Sequence, residues 1–251
     1  MLHYTKTGTG NEALVLLHGF MENNTIWQQM EPLLEDKFSL IKIDLPGHGK
    51  SPNQASVHTM EMMAEAVKEV VQRENIAQFH LLGHSMGGYV SLAYAEKYAD
   101  DLKSLTLFFS TFLEDSEEKK EMRKKSFRVV RESMNTYINA GVPLLFSALE
   151  REKLESKITL AKEIALSTAP ENVIAALEGM MLRPNRFSVV DTLKGKVMFI
   201  LGKHDNAVNA FEVMKQIPMK ENIKTYILDC GHNGHWEKPI VCSSILIEEL
   251  S

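Results

Sequence analysis

The stretch Phe79-His80-Leu81-Leu82-Gly83-His84-Ser85-Met86-Gly87-Gly88-Tyr89-Val90-Ser91-Leu92-Ala93-Tyr94-Ala95 decides how this chain is read. It opens as a short apolar run and closes as a helix-like one, with Gly83-His84-Ser85-Met86-Gly87 between them. That is G-x-S-x-G in the setting that gives the pattern meaning: strand, sharp turn, helix. The turn predicts a strained backbone at Ser85. Gly83 and Gly87 are expected where strand and helix pass too close for a Cβ. The serine Oγ then stands exposed at the carboxyl end of the strand. The N-terminus of the following helix turns free N–H groups and a positive dipole toward any anion formed there.

Outward from this turn, the chain alternates strand-like and helix-like segments. Ala13 to Leu17 is a continuous apolar run, as expected of a strand buried on both faces, and it ends in His18-Gly19-Phe20. Thr25 to Leu34 reads as a helix in which Pro32 predicts a break. Phe38 to Asp44 is the next strand and enters the turn Leu45 to Ser51. Residues 59–74 form an amphipathic helix, and Lys103 to Phe109 a further strand. From 111 to 192 the rhythm is helical only, which predicts an inserted helical cap. Alternation resumes with strands at Lys196 to Gly202 and Lys224 to Leu228, and a closing helix from Ile240 to Leu250. The reading is an α/β core, 1–110 and 193–251, with a mostly parallel sheet covered by helices on both faces.

Composition sets the class. The chain has 251 residues, 44% hydrophobic and 24% charged, enough for one sizeable α/β core. A net charge of -5 argues against a nucleic-acid partner. No apolar run approaches the roughly 20 residues of a membrane span. The opening residues lack the apolar core of a signal peptide, and the two cysteines, Cys230 and Cys242, make no disulfide framework. A cytoplasmic, reduced protein is the expectation. The sequon Asn23-Asn24-Thr25 therefore carries little weight.

A serine hydroxyl needs a base, and the base needs an orienting acid. In this architecture both belong on loops at the carboxyl ends of strands. Gly202-Lys203-His204-Asp205 follows the penultimate strand and Gly231-His232-Asn233-Gly234-His235-Trp236-Glu237-Lys238-Pro239 follows the last. The order Ser85, Asp205, His232 is nucleophile, acid, base. Asp229 and the pair Glu114-Asp115 are rival acids, and His235 is a rival base.

Taken together, His18-Gly19-Phe20, Asp44 to Ser51, Gly83 to Gly88, Leu201 to Asp205 and Gly231-His232 with Glu237-Lys238-Pro239 resemble the α/β-hydrolase superfamily, in its capped esterase-like branch, over 13–250. The resemblance implies a sheet of about eight strands. It implies Ser85 as nucleophile, Asp205 as acid and His232 as base, with an oxyanion hole from the backbone N–H groups of Phe20 and Met86. The substrate it implies is a small acyl compound such as a carboxylic ester, and no cofactor. His18, His84, Phe127, Phe146, His235 and Trp236 are the candidate pocket wall. The same triad also serves thioester or carbon–carbon hydrolysis, or a lyase-type step as in the menaquinone-pathway synthase of this fold. A non-catalytic binding protein on the fold is the reading from another class.

Blander readings stand beside these. A loop Asp such as Asp205 is ordinarily a turn residue or cap. His232, His235, His204 and Cys230 lack metal-site spacing. Gly47-His48-Gly49-Lys50-Ser51 lacks the first glycine of a phosphate loop and reads as a structural turn, with His48 near a site entrance. Cys230 reads as a small buried residue. Lys119, Lys120, Arg123, Lys124, Lys125, Arg128 and Arg131, among acidic residues, read mostly as a solvated helical face. One or two of them are candidates to meet an acidic substrate tail.

Overall fold

The computed structural model describes residues 1–250. Seven strands form one sheet: β1 (Tyr4–Thr7), β2 (Glu12–Leu17), β3 (Phe38–Ile43), β4 (Phe79–His84), β5 (Leu102–Phe108), β6 (Lys196–Gly202) and β7 (Ile223–Leu228). Their order is β1-β3-β2-β4-β5-β6-β7, with β1 antiparallel to β3 and every other pair parallel. The count corrects the expected eight strands. The apolar runs of the sequence account for β2 to β7, and β1 is a short, half-buried strand at the sheet edge.

The helices are α1 (Glu31–Leu34), α2 (Met60–Arg73), α3 (Met86–Tyr98), α4 (Glu117–Glu132), α5 (Met134–Gly141), α6 (Glu155–Leu166), α7 (Pro170–Leu182), α8 (Phe187–Thr192), α9 (Ala210–Met214), α10 (Gly234–Glu237) and α11 (Pro239–Leu250). α2 packs on α3, and α3 on α8; α1 packs with α11. The break expected at Pro32 is seen one turn earlier. A 3-10 helix, Asn24–Gln29, gives way to α1, whose first turn holds Pro32. Proline is tolerated there because a first-turn N–H has no intrahelical acceptor.

The core explains the apolar runs. Leu14 to Leu17 are 0% exposed, as are Phe79, Leu81 and Leu82, so β2 and β4 are covered on both faces. Each such side chain contributes about 1.5–3 kcal/mol on burial. His80 and His84 are the polar exceptions in β4, and His80 hydrogen-bonds Ser104 on β5 at 2.8 Å. β4 is fourth of seven strands, which places its carboxyl end at the middle of the sheet.

Between β5 and β6 only helices occur among the described residues, α4 to α8 and two short 3-10 turns, Val142–Leu145 and Arg151–Leu154. Ser116 and Ser133 cap α4 and α5 through their hydroxyls. Of the sixteen residues of α4 only Val130 is buried. Lys120–Glu117, Lys124–Glu121 and Arg128–Glu132 pair along its outer face. These are the solvated pairs read from the sequence, worth about 0.2–0.5 kcal/mol each.

Candidate active site

The turn at Ser85 has the backbone that its sequence demands. Ser85 sits at φ 50°, ψ -113°, between the end of β4 and the start of α3. A Cβ on Gly83 would lie 2.2 Å from the Gly87 carbonyl oxygen, and one on Gly87 would lie 2.5 Å from that of Leu17. The first is the strand–helix approach expected from sequence. The second is contact with the neighbouring strand β2. Ser85 N–H donates to the Phe108 carbonyl at 3.0 Å, and Ser110 Oγ–H donates to the Ser85 carbonyl at 2.7 Å. The strained residue is thus pinned from both sides.

Asp205 and His232 meet. His232 Nδ1 lies 2.6 Å from Asp205 Oδ2, and the side chains are 3% and 0% exposed. Asp205 Oδ1 accepts from the N–H groups of Ala207 and Val208 at 2.7 and 2.9 Å. The carboxylate therefore acts as a turn residue through one oxygen and as a histidine partner through the other. The rival acids face elsewhere. Asp229 takes His204 Nε2 at 2.8 Å, and Asp115 lies between Arg123 at 2.6 Å and Arg183 at 2.8 Å. Those guanidinium groups overcome burial and hold the Asp115 carboxyl down at about 2.

Ser85 and His232 line one cavity of about 460 Å³, together with Phe20, His84, Tyr89 and Leu145. Met122 and Arg123 of α4, Tyr137 of α5 and Met180 of α7 also wall it, so the segment after β5 faces Ser85 across this space. Among the described residues no hydrogen bond joins Ser85 Oγ to His232 Nε2. Such bonds are often loose before substrate arrives. Met86 begins α3, so its N–H is one of the free donors of that helix end. A Cβ on Gly19 would lie 3.2 Å from Ser85 Cβ, which puts the Gly19-Phe20 backbone beside the serine.

Two carboxylates that the motifs did not single out as site residues hold the loops. Glu237 accepts from the N–H groups of Gly231 and Ser147, at 3.0 and 3.1 Å, and fixes the turn before His232. Glu22 Oε2 accepts from Gly19 N–H at 2.6 Å and lies 2.8 Å from His84 Nδ1; His84 Nε2–H donates to the His232 carbonyl at 3.0 Å. Burial opposes charge on Glu22, but His84 outweighs it and the carboxyl is held down at about 2. The signal for Glu22 was its place three residues after Gly19. The signal for Glu237 was the Glu-Lys-Pro that ends the last motif.

Of the candidate wall residues, His84 lines the main cavity, and Trp236 lines a smaller one of about 160 Å³ next to it. The others correct the expectation. His18 is wholly buried because its Nε2 accepts from the Leu45 N–H at 2.9 Å, and Nδ1 meets the Gly19 carbonyl. His235 is packed against Trp27, His84 and Trp236. Burial opposes its protonation, which suits a core residue and not a base that must become an imidazolium. Phe146 is buried and stacks on Trp236 at 5.9 Å. Phe127 is half-buried and lines neither cavity. His48 is buried too, with Nδ1 near the Pro46 carbonyl, away from any entrance.

The turn Asp44 to Ser51 is structural. Asp44 accepts from the N–H groups of Asn24 and Lys50, and Gly49 adopts φ 55° against its carboxylate. Both cysteines are buried free thiols, and burial pushes Cys242 up to about 12 and Cys230 further. Among the described residues no group of three or more His, Cys, Asp or Glu converges as a metal site would require.

Comparison with known proteins fits this geometry. Over its whole length the chain is 26% identical to an Escherichia coli (strain K12) protein, 2-hydroxy-6-oxononadienedioate/2-hydroxy-6-oxononatrienedioate hydrolase, covering 91% of it. The structure matches a thermophilic esterase from Thermogutta terrifontis, with malate bound, at TM-score 0.93 and 30% identity, over 99% of this chain and 92% of that one. It matches the enol-lactonase of Burkholderia xenovorans LB400 at TM-score 0.91 and 22% identity, over 99% and 96%, a likeness of fold. Residues 12–173 match the family model described as the alpha/beta hydrolase fold. With its central strand–turn–helix at Ser85, the chain belongs to the α/β-hydrolase family.

Proposed function

We propose that the protein is a serine hydrolase that cleaves carboxylic esters or related small acyl compounds. The observation that carries this is one cavity holding both a serine at φ 50° and a histidine whose far nitrogen is bonded to a buried carboxylate. His232 Nε2 takes the proton of Ser85 Oγ as that oxygen attacks the acyl carbon. Asp205 holds the tautomer with the proton on Nδ1 and stabilises the imidazolium that forms. The N–H groups of Phe20 and Met86 bind the oxyanion, a device whose single donors are worth roughly 10²–10³ in rate. His232 then protonates the leaving group. Water, activated by the same imidazole, releases the acid and frees Ser85. The segment 111–192 acts as a cap, closing the cavity from the side opposite the sheet. The 30% identical esterase supports the ester reading.

Carbon–carbon hydrolysis is the second reading, favoured by the whole-length likeness to the Escherichia coli hydrolase. A dioate carries two carboxylates, and Lys119 and Arg123 stand on the cavity wall. A fluorophosphonate probe and an ester panel test the class. Labelling at Ser85 and turnover that vanishes in Ser85→Ala support it. An intact protein left unlabelled, with no turnover, points to a binding protein instead. Product analysis on esters, thioesters and oxo-dioates then separates the chemistries. The Lys119→Glu variant should lose selectivity for anionic over neutral substrates if that cation reads a substrate tail.

A further inference from the structure

The smaller cavity gives the proposed hydrolase a substrate class. It shares Phe20, Glu22, Tyr137 and Leu145 with the Ser85 cavity, so the two are adjacent chambers of one site. Its own walls are Ile138, Val142, Ala161, Ala165 and Trp236, all apolar. The indole of Trp236 is 2% exposed and fixed by stacking on Phe146. Beyond the shared Glu22 and Tyr137, one further polar group lines it. Asn233 is 1% exposed, and its Oδ1 has no hydrogen-bond partner among the described residues. An orphaned amide end is costly, and a ligand group that meets it recovers that cost. The volume, about 160 Å³, is close to that of a cavity that takes one benzene ring.

We propose that this chamber is a specificity pocket for an aryl or branched short-chain arm of the substrate, bearing a hydroxyl or similar polar group that meets Asn233. Ala161 and Ala165, one turn apart on α6, leave the room for it. The proposal rests on the hydrolase reading, and its test separates the two. Benzoyl and 2-methylpropanoyl esters of one alcohol are compared with its acetate in the parent, in Ala161→Phe and in Ala165→Leu. Filling the chamber should cut the rate on the larger arm tenfold or more relative to acetate. An unchanged ratio in both variants overturns the chamber and leaves the hydrolase standing. If no ester is turned over, benzene titration decides. NMR shifts at Ile138 and Trp236 in the parent, lost in Ala161→Phe, support the chamber, and their absence in the parent overturns it.

A second inference comes from counting protons on His84. Its Nδ1 faces the Glu22 carboxylate and its Nε2 faces the His232 carbonyl, two acceptors. A neutral imidazole has one N–H and cannot donate to both. We infer that His84 is a buried imidazolium and that Glu22 is the positioning residue that keeps it so. The cation sits next to Ser85 and ties together three loops: Gly19-Phe20, the serine turn and the His232 loop. The groups around it are Glu22, His232, His235, His18 and Asp205. Burial works against the charge, but Glu22 and the His232 carbonyl outweigh it, so the imidazole is held above its ordinary value. His235, without a hydrogen-bonded carboxylate, goes the other way.

Nitrogen-15 NMR of His84 reads this directly. Both ring nitrogens should remain protonated at pH 7.5, and Glu22→Gln should return one to the unprotonated form. In Glu22→Gln, kcat should fall tenfold or more with KM within about threefold, and Glu22→Asp should restore part of it. A neutral His84 in the parent at pH 7.5 overturns the inference, whatever happens to activity.

Discussion

The turn at Ser85 and the helical segment between β5 and β6 face each other across one cavity, yet they are built by opposite means. In α3 every residue from Met86 to Ala95 is buried, while α4 buries one residue in sixteen. The turn is fixed by backbone, through a left-handed serine and two glycines with carbonyls at 2.2 and 2.5 Å from any added Cβ. The segment is fixed by caps, by buried apolar residues such as Ile138, Phe146, Ala176 and Met180, and by charged clusters at Asp115 and Arg186. It also leaves large apolar side chains outside, with Leu149 75%, Leu182 66% and Met122 55% exposed. Chemistry demands atoms placed to a fraction of an ångström, whereas recognition of a substrate tolerates adjustment. The rigid half carries the groups proposed to react, and the looser half walls in whatever binds.

The largest effect expected is on the rigid side. On the proposed mechanism Ser85→Ala should lower kcat roughly a millionfold, as removing such a nucleophile does elsewhere. Circular dichroism and urea unfolding should stay near the parent. Substitutions of exposed residues on α4 should never approach that loss. An active Ser85→Ala would break the comparison at its root.

Next comes stability. Gly87→Ala puts a methyl against backbone oxygens of Leu17 and His18, neither of which can move without disturbing β2. A loss of roughly 4 kcal/mol or more is expected, in the range reserved for such clashes. On the looser side, Asp115→Asn should compare. It leaves Arg183, 3% exposed, without its carboxylate, and breaking a buried pair costs roughly 3–5 kcal/mol. Urea midpoints of the two variants measure both. If Asp115→Asn is neutral, the Asp115 cluster is ornamental and the segment is held by its apolar contacts and the Arg186 pairs.

Acid should attack both sides in sequence. His48 is held neutral by burial at about 3. The unfolded chain takes that proton near 6.5, so stability falls as pH drops from 6.5 toward 3. Glu22 and Asp115 are both held at about 2, against ordinary values of 4.5 and 3.8. Their contribution is whole above those values and is lost as pH falls toward 2. His84, held above 6.5, behaves oppositely: its contribution is present below 6.5 and fades as pH rises through its own value. Unfolding midpoints from pH 8 to pH 2 should decline gently and then steeply below about 4.5. Glu22→Gln should flatten the steep part on the rigid side, and Asp115→Asn on the other.

This contrast also marks what was legible in the sequence. Strands buried on both faces write continuous apolar runs, so β2, β4 and β6 could be read off directly, and Gly83-His84-Ser85-Met86-Gly87 writes a backbone constraint in residue types. Chain order narrowed the carboxylate on His232 to Asp205 and its rivals, and the resemblance pointed to Asp205; the fold turns Asp229 to His204 and Asp115 to two arginines. The cavity wall was not. Aromatic character pointed to Phe146 and His235, but both are consumed by packing against Trp236, a matter of three-dimensional neighbours. Glu22 stands three residues after Gly19, but nothing in the sequence marks its partner: His84 lies 62 residues away, and only the fold brings them to 2.8 Å.

The smallest expected effect sharpens the comparison most. Met122 lines the Ser85 cavity yet is 55% exposed, so its side chain contributes little to the core. Met122→Ala should shift stability by no more than about 0.5 kcal/mol, as exposed positions do. The same change removes a flexible thioether from the wall that a substrate must touch, and such side chains adapt to varied shapes. KM should therefore move a few-fold, by differing amounts along an ester series, while kcat on the smallest ester holds. A residue that changes selectivity without changing stability is the signature of a wall built for recognition. If Met122→Ala instead costs stability and leaves every KM alone, α4 is scaffold, and the division between a rigid half that reacts and a looser half that selects is wrong.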